Sequence, residues 1–107
     1  MDDLSFARFW VENREKFKPR SARMLRYELR GKGVEESVIA QALAGLDEEE
    51  SALRAAQQVP PRYSRLEGQE FRQRLTSYLA RRGFAYPVID EVLNRLWKGP
   101  RKEGDTH

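Results

Sequence analysis

The sequence lacks cysteine altogether, and its one histidine is the final residue, His107. The absence of cysteine excludes disulfide bridges and thiolate metal sites, and it allows a reducing compartment. Without a cysteine or an internal histidine, the usual thiol and serine–histidine catalytic arrangements cannot be built. No glycine-rich phosphate loop follows a strand pattern either. The sequence therefore predicts a protein that is not an enzyme and that uses no metal, cofactor or small-molecule substrate.

The sequence also lacks an apolar run long enough to cross a membrane, and it begins with Met1, Asp2 and Asp3, the wrong charge for a signal peptide. We therefore expect a cytoplasmic protein that does not associate with membranes. The apolar share of 39% is low and the charged share of 35% is high for a globular chain of 107 residues. That balance is typical of amphipathic helices with charged outer faces.

The strongest pattern is an internal repeat with a period of 50 residues, in which 20–46 overlays 70–96. The superposed positions are mostly aliphatic residues at helical spacing, plus one glycine. They pair Leu25 with Leu75, Leu29 with Leu79, Gly33 with Gly83, Val38 with Val88, Ile39 with Ile89, Leu43 with Leu93 and Leu46 with Leu96. We expect these residues to line two equivalent helical cores.

Each copy of the repeat contains three helices, with a glycine between the second and the third. Gly33 and Gly83 end the second helix, because glycine readily takes the left-handed conformation that closes a helix. Pro87 fits the first turn of the last helix, where its missing N–H costs nothing. The predicted fold class is all-α: two tandem three-helix, helix-turn-helix-like repeats at 1–46 and 47–98, followed by a disordered tail at 99–107.

The helix boundaries in the middle of the chain follow from local signals. Asp47 is the expected N-cap of a helix that ends before Pro60-Pro61, which leaves 59–68 as a loop. The acidic run Glu48-Glu49-Glu50 is an acidic helix start rather than a metal site, because consecutive residues point in different directions. The third helix of the first copy is expected to include Leu46, and that of the second copy to include Leu96 and Trp97.

The first helix carries two apolar stripes where one packing partner requires only one. The stripes consist of Leu4, Ala7 and Val11 and, on an adjacent face, of Phe6, Trp10 and Phe17. The second stripe is either buried within the two repeats or faces a neighbouring unit, and the periodicity leaves both interpretations open.

A basic stripe on the second helix is the candidate binding surface. At about 100° per residue, four arginines cluster on the face away from Leu25 and Leu29, with Tyr27 among them. Arginines beside an exposed aromatic ring suit phosphates, carboxylates and stacked bases. The alternative is a solvated helix face. The residues predicted to contact a partner are Arg20, Arg23, Arg26, Tyr27, Arg30, Lys32, Arg81 and Arg82.

Several short motifs, in this order and with this period, resemble the RecX family of bacterial regulators of the RecA recombinase. They are Asp2-Asp3 followed by Phe6-Ala7, then Leu29-Arg30-Gly31-Lys32-Gly33-Val34 with Ile39 and Ala42-Leu43, and then Leu79-Ala80-Arg81-Arg82-Gly83-Phe84 followed by Val88-Ile89. The resemblance covers the family's second and third repeats. The family pattern has three tandem three-helix repeats, so the first repeat is absent, as in a fragment or in a shortened relative.

The resemblance implies regulation without catalysis. Family members bind RecA filaments on single-stranded DNA, and they suppress strand exchange, ATP hydrolysis and co-protease activity in DNA repair, recombination and the SOS response. The alternative partner is nucleic acid itself, single- or double-stranded, held by the basic stripe. A third reading is a structural interaction domain within a larger assembly.

Overall fold

The computed structural model describes residues 2–96, and in this part of the chain all the regular secondary structure is helical. Trp97, His107 and the tail expected at 99–107 lie outside the described residues. The elements are α1 (Asp3–Phe17), α2 (Ala22–Gly31), α3 (Glu36–Leu43), α4 (Glu48–Ala56), a 3-10 helix (Pro61–Arg65), α5 (Gly68–Arg81) and α6 (Tyr86–Leu96). The prediction of an all-α fold made of two three-helix units is confirmed.

Polar side chains fix where three of the helices begin. Asp2 accepts a hydrogen bond from the backbone N–H of Ser5 at 2.7 Å and caps α1. The Ser21 hydroxyl accepts from the N–H of Met24 at 3.1 Å and caps α2. Asp47 caps α4 as predicted, because its carboxylate accepts two N–H groups of the first turn at 3.1 and 3.3 Å. Each cap satisfies donors that have no partner inside the helix.

The second helix of each repeat ends in the same way. Gly33 has φ 85° and Gly83 has φ 94°, and these left-handed residues close α2 and α5 as the sequence predicts. After each glycine the chain turns back, so that Val34 donates its N–H to the Leu29 carbonyl at 3.1 Å, and the equivalent bond in the second repeat measures 3.2 Å. Pro87 lies in the first turn of α6, as expected.

Each repeat has its own hydrophobic core. The first consists of Ala7, Val11, Leu25, Leu29, Val34, Ile39 and Leu43, and the second of Ala52, Ala55, Ala56, Leu75, Leu79, Phe84, Ile89, Val92 and Leu93. Most of the paired positions of the 50-residue repeat are therefore buried, and Val38 and Val88 are partly buried. The pair Leu46 and Leu96 departs from this equivalence, since Leu46 packs on the first core while Leu96 is 44% exposed.

Two predicted boundaries are wrong. The third helix ends at Leu43, short of Leu46, and Leu46 reaches the first core from the connection to α4. The segment predicted as a loop at 59–68 contains the 3-10 helix, because Pro61 has a φ preset for a helical turn. That turn buries Tyr63, whose ring packs edge-on against the Tyr78 ring with centroids 6.1 Å apart.

The second apolar stripe of α1 divides between the two interpretations left open. Phe6 and Trp10 are partly buried against the first core, with their ring centroids 5.9 Å apart. Phe17 is 61% exposed at the end of α1. Phe9 is 60% exposed, although it belongs to neither predicted stripe. The outward surface of α1 is thus apolar at two positions.

Polar contacts and one close approach join the two repeats. The Ser21 N–H donates to the Arg82 carbonyl at 3.2 Å, and Ser51 donates its hydroxyl hydrogen to Glu15 at 2.6 Å. Beside these bonds Gly83 lies directly against α2, where a Cβ would overlap Met24 Cγ and Ser21 Oγ. The described residues form an elongated body of 55 × 27 × 17 Å, in which no helix is long and apolar enough to span a membrane.

Candidate partner-binding surface

Two of the predicted contact arginines serve the fold. Arg20 pairs with Glu28 and also donates to the Lys18 carbonyl at 3.1 Å, which leaves its side chain largely covered. Arg23 donates from Nη2 to the Gly83 carbonyl at 3.0 Å and so belongs to the contact between the repeats. Both guanidinium groups are therefore committed to partners within the chain.

Arg26 and Arg30 face outward and share one carboxylate. Arg30 donates from Nε and Nη2 to Glu36, each at 3.1 Å, and Arg26 pairs with the other carboxylate oxygen. The hydrogen bond from Arg30 is the largest cause that lowers the pKa of the Glu36 carboxyl. Since one negative charge meets two positive charges, this part of the stripe keeps an excess of positive charge.

Tyr27 borders a shallow pocket that we call the aromatic–basic pocket. The pocket has a volume of about 690 Å³ and is lined by Trp10, Arg14, Tyr27, Glu28, Arg30, Gly31 and Lys32. The Tyr27 side chain is 75% exposed. Arg14 Cζ lies 4.7 Å from the centroid of the Trp10 indole, and Lys32 Nζ lies 5.0 Å from it. Cations at these distances are attracted to the negative face of the ring.

Trp10 and Arg14 belong to this surface although the sequence pattern does not predict it. The pattern places Trp10 in an apolar stripe of α1 and does not include Arg14 among the predicted contact residues. The spacing of four residues on one helix was a usable signal, because such residues are neighbours on the helix surface. The contact with Lys32 joins residues far apart in the chain, and local periodicity carries no information about it.

Glu28 holds the aromatic–basic pocket together from beneath. Its carboxylate accepts from Trp10 Nε1 at 2.8 Å and from Arg14 Nε at 3.2 Å, and it pairs with Arg20. Burial alone would raise the pKa of the Glu28 carboxyl. The hydrogen bonds from Trp10 and Arg20, together with the charges of Arg20 and Arg14, outweigh burial and lower this pKa below 4.5. The folded protein therefore favours the ionised form of Glu28.

Glu28→Gln is expected to destabilise the protein by about 1–3 kcal/mol at neutral pH, because it leaves two arginines without a carboxylate. Because folding lowers the pKa of the Glu28 carboxyl, the stabilisation by its ionised form is present above pH 4.5. It is lost as the pH falls through the pKa that Glu28 has in the folded protein. Urea unfolding of both proteins across the acidic range checks this, with exposed Glu12→Gln as the control. A difference that stays constant at acidic pH would contradict the role given to the carboxylate.

Arg81 and Arg82 lie at the end of α5, next to the turn that α2 contacts. Arg81 is exposed. Arg82 places its guanidinium 4.7 Å from the Tyr78 ring centroid and donates to the Tyr78 hydroxyl at 2.9 Å. The bond from Arg23 to the Gly83 carbonyl connects this end of α5 with the stripe on α2.

Within residues 2–96, no three acidic or histidine side chains are grouped closely enough to hold a metal ion.

Two family models match the chain in tandem. The model described as RecX, second three-helix domain, matches residues 2–43, and the model described as RecX, third three-helix domain, matches residues 47–93. The two matches follow each other in the order that the resemblance to the family's second and third repeats predicts. The division of the chain at residues 46 and 47 remains a prediction.

Proteins named Regulatory protein RecX are similar over most of the chain. The protein from Prosthecochloris aestuarii is 36% identical over 96 residues, which are 90% of this chain and 63% of that protein. The Mycobacterium ulcerans protein is 40% identical over 97 residues, 87% of this chain and 56% of the relative. The Chlorobium limicola protein is 32% identical over 106 residues, 98% of this chain and 67% of the relative. The chain thus spans less than two thirds of the first two relatives.

A solved structure has the same fold. The crystal structure of RecX from Lactobacillus salivarius matches with a TM-score of 0.73 at 20% sequence identity, over 90% of this chain and 64% of that chain. The two domain matches and the relatives confirm the resemblance read from the sequence motifs. The chain belongs to the RecX family, and it carries the family's second and third three-helix domains.

Proposed function

We propose that this protein is a non-catalytic regulator that binds filaments of the RecA recombinase on DNA. In this proposal it lowers the strand-exchange, ATPase and co-protease activities of RecA in DNA repair, recombination and the SOS response. The observation that carries the proposal is the match to RecX over both domains, together with relatives that are named regulatory proteins.

The shape of the molecule supports binding to a repetitive partner. Two stacked three-helix units give a body 55 Å long and 17 Å thick. Stacked helical units present an extended surface that can contact several neighbouring sites at once. A filament offers such sites as successive subunits, so an elongated ligand can span more than one of them.

The predicted contact residues take two roles in this proposal. We propose that the partner is contacted by the outward-facing members of the predicted set, which are Arg26, Tyr27, Arg30, Lys32 and Arg81. Arg20, Arg23 and Arg82 hold that surface in place through their bonds to Glu28, the Gly83 carbonyl and Tyr78. A rim of exposed arginine and lysine suits acidic protein surface and bound DNA alike.

Arg30→Glu combined with Lys32→Glu is expected to weaken binding to RecA filaments about tenfold or more, because it places acidic groups against an acidic partner. The helical spectrum should change little, because both side chains are exposed and loss of the solvent-exposed pair between Arg30 and Glu36 should cost only about 0.2–1 kcal/mol. Co-sedimentation with RecA assembled on single-stranded DNA measures binding, and RecA ATPase activity measures inhibition. Arg23 is left intact because reversing its charge would set a carboxylate against the Gly83 carbonyl.

The matched control is Arg62→Glu combined with Arg65→Glu, which makes the same charge change on the exposed face of the 3-10 helix. If both double variants lose binding equally, the α2 surface has no special role.

If the unaltered chain never sediments with filaments, either binding needs a further domain or the proposed function is wrong. Fusing the chain to the preceding domain of a longer relative distinguishes these two explanations. Binding restored by the fusion assigns the loss to the missing domain, and continued failure contradicts the proposed function.

The second candidate function is binding of single-stranded nucleic acid without RecA. The aromatic–basic pocket favours it, since Tyr27 offers an exposed ring for base stacking beside Arg30 and Lys32. Titration of a labelled oligonucleotide at several salt concentrations distinguishes the two functions. Tight binding that falls steeply with salt, in the absence of RecA, would favour this candidate.

A further inference from the structure

A second concave surface, which we call the acidic groove, lies where the two repeats meet. It has a volume of about 740 Å³ and is formed by α1, the end of α3, the connection between α3 and α4, and α4. Val11, Ala42 and Leu46 supply its apolar floor. Its other lining residues are Glu12, Glu15, Lys16, Gly45, Asp47, Glu50 and Arg54, of which four are acidic and two are basic.

The acidic groove keeps an excess of negative charge. Arg54 pairs with Glu15, so these two charges offset each other. Lys16 is drawn towards the Phe17 ring, with its Nζ 5.7 Å from the ring centroid. Glu50 shares Arg95 with Glu49, at 3.4 and 3.3 Å. Exposed Glu12 has no ion-pair partner among residues 2–96. A cationic group that reached this rim would therefore meet unneutralised carboxylates above an apolar floor.

The acidic groove and the aromatic–basic pocket lie on opposite sides of α1. Trp10 lines the pocket and Glu12 lines the groove. At about 100° per residue, these two positions are about 200° apart around the helix axis. The molecule thus presents an aromatic and basic surface, bordered by the exposed Tyr27 of α2, on one side and an apolar and acidic groove on the other.

We propose that the exposed side of α2 that borders the aromatic–basic pocket, with Tyr27, Arg30 and Lys32, docks into the acidic groove of a second copy of this chain. The exposed ring of Tyr27 covers the apolar floor, and Arg30 and Lys32 meet Glu12 and Glu50 at the rim. This is the helix-in-groove mode of recognition, with α2 as the inserted helix. Both complementary surfaces belong to the same chain, and RecA takes no part in the contact.

The contact joins two different surfaces, so it is heterologous. A heterologous contact adds further copies in a row unless its rotation closes a ring, whereas a contact between two identical patches stops at a dimer. Because the charges at the rim are exposed to solvent, salt screens the attraction. We expect self-association at low ionic strength and millimolar protein concentration, and dissociation as salt is added.

Sedimentation velocity of the full chain and of two charge-reversed variants tests the proposal. Glu12→Lys leaves three acidic and three basic residues in the groove, and Lys32→Glu leaves two of each in the pocket, so each change removes the net charge and reverses the sign at one contact position. Each variant alone then faces like charges across the contact, and we expect its self-association to weaken about tenfold or more. An equimolar mixture of the two variants should associate again, because positions 12 and 32 then carry opposite charges across the contact. Salt should weaken the mixture as it weakens the unaltered chain.

The matched controls are Glu91→Lys and Arg65→Glu, which make the same charge changes at exposed positions outside both surfaces. They should associate like the unaltered chain. The proposal is overturned if the unaltered chain stays monomeric at millimolar concentration and low salt, or if the mixture of variants does not recover association. It is also overturned if amide chemical shifts place the contact at Phe9 and Phe17, which would identify the exposed apolar face of α1 as the self-association surface.

Discussion

Leu79→Ala is expected to lower the free energy of unfolding by about 2–5 kcal/mol, as for other fully buried leucines. Leu79 is 0% exposed and belongs to the second core together with Leu75 and Ile89. The shortened side chain loses its transfer free energy and leaves a cavity that the three short helices cannot fully close. Because a small domain is held by only about 5–15 kcal/mol, this one change removes a large part of the total. Urea unfolding measures it.

The control for this prediction is Leu96→Ala, which makes the same chemical change at an exposed position of the same repeat. It should alter the free energy of unfolding by no more than about 0.5 kcal/mol.

Leu29→Ala, the equivalent change in the first core, should cost as much as Leu79→Ala. Hydrogen exchange should show each repeat opening first in its own variant, because stacked repeats contribute their stabilities locally. Equal costs for Leu79→Ala and Leu96→Ala would refute the assignment of the core.

Gly83→Ala is expected to destabilise the protein by about 2–4 kcal/mol, from positive-φ strain and overpacking together. Gly83 has φ 94°, which disfavours any residue with a Cβ. The new methyl group would also overlap Met24 Cγ and Ser21 Oγ at the contact between the repeats. Relief of that overlap would disturb the cap of α2, since the Ser21 hydroxyl accepts the Met24 N–H. Thermal and urea unfolding both report this change.

Gly33→Ala is the matched control, because Gly33 is the equivalent glycine of the first repeat. Its φ is 85°, but a Cβ at this position would meet no atom within 4 Å. We expect it to cost only about 1–2 kcal/mol, which is the conformational part of the effect. The excess for Gly83→Ala measures the contact between the repeats. If the two substitutions cost the same, the close approach at Gly83 contributes nothing to stability.

The repeat and its two cores could be predicted from the sequence because the signals are local. Leu25, Leu29 and Gly33 lie within nine residues of one another, and the spacing of the leucines followed by a glycine stop specifies a helix and its end. The same pattern recurs 50 residues later, which excludes a chance match. Asp47 and Pro87 likewise act on the turn that immediately follows or contains them.

The contact surface could be predicted only in outline, because its arrangement depends on partners distant in the chain. Helical periodicity predicts Arg20, Arg23, Arg26 and Arg30 on one face, but Arg20 precedes the Ser21 cap of α2, and periodicity cannot tell which of the other three are engaged. Arg23 donates to a carbonyl 60 residues away, and Glu28 accepts a hydrogen bond from Trp10, which lies 18 residues away in the chain. Such pairings depend on how the helices pack, and a single sequence carries no periodic signal for them.

The contact at Gly83 joins two different parts of successive repeats, the start of α2 in the first and the glycine turn in the second. The start of α2 packs against that turn, where the Ser21 N–H donates to the Arg82 carbonyl. The first repeat has the same turn at Gly33, where a Cβ would meet no atom of the described residues within 4 Å. Another three-helix unit seated at Gly33 by the same contact would repeat the same rotation and translation. The close approach at one glycine per unit would then determine the superhelical pitch of the whole stack.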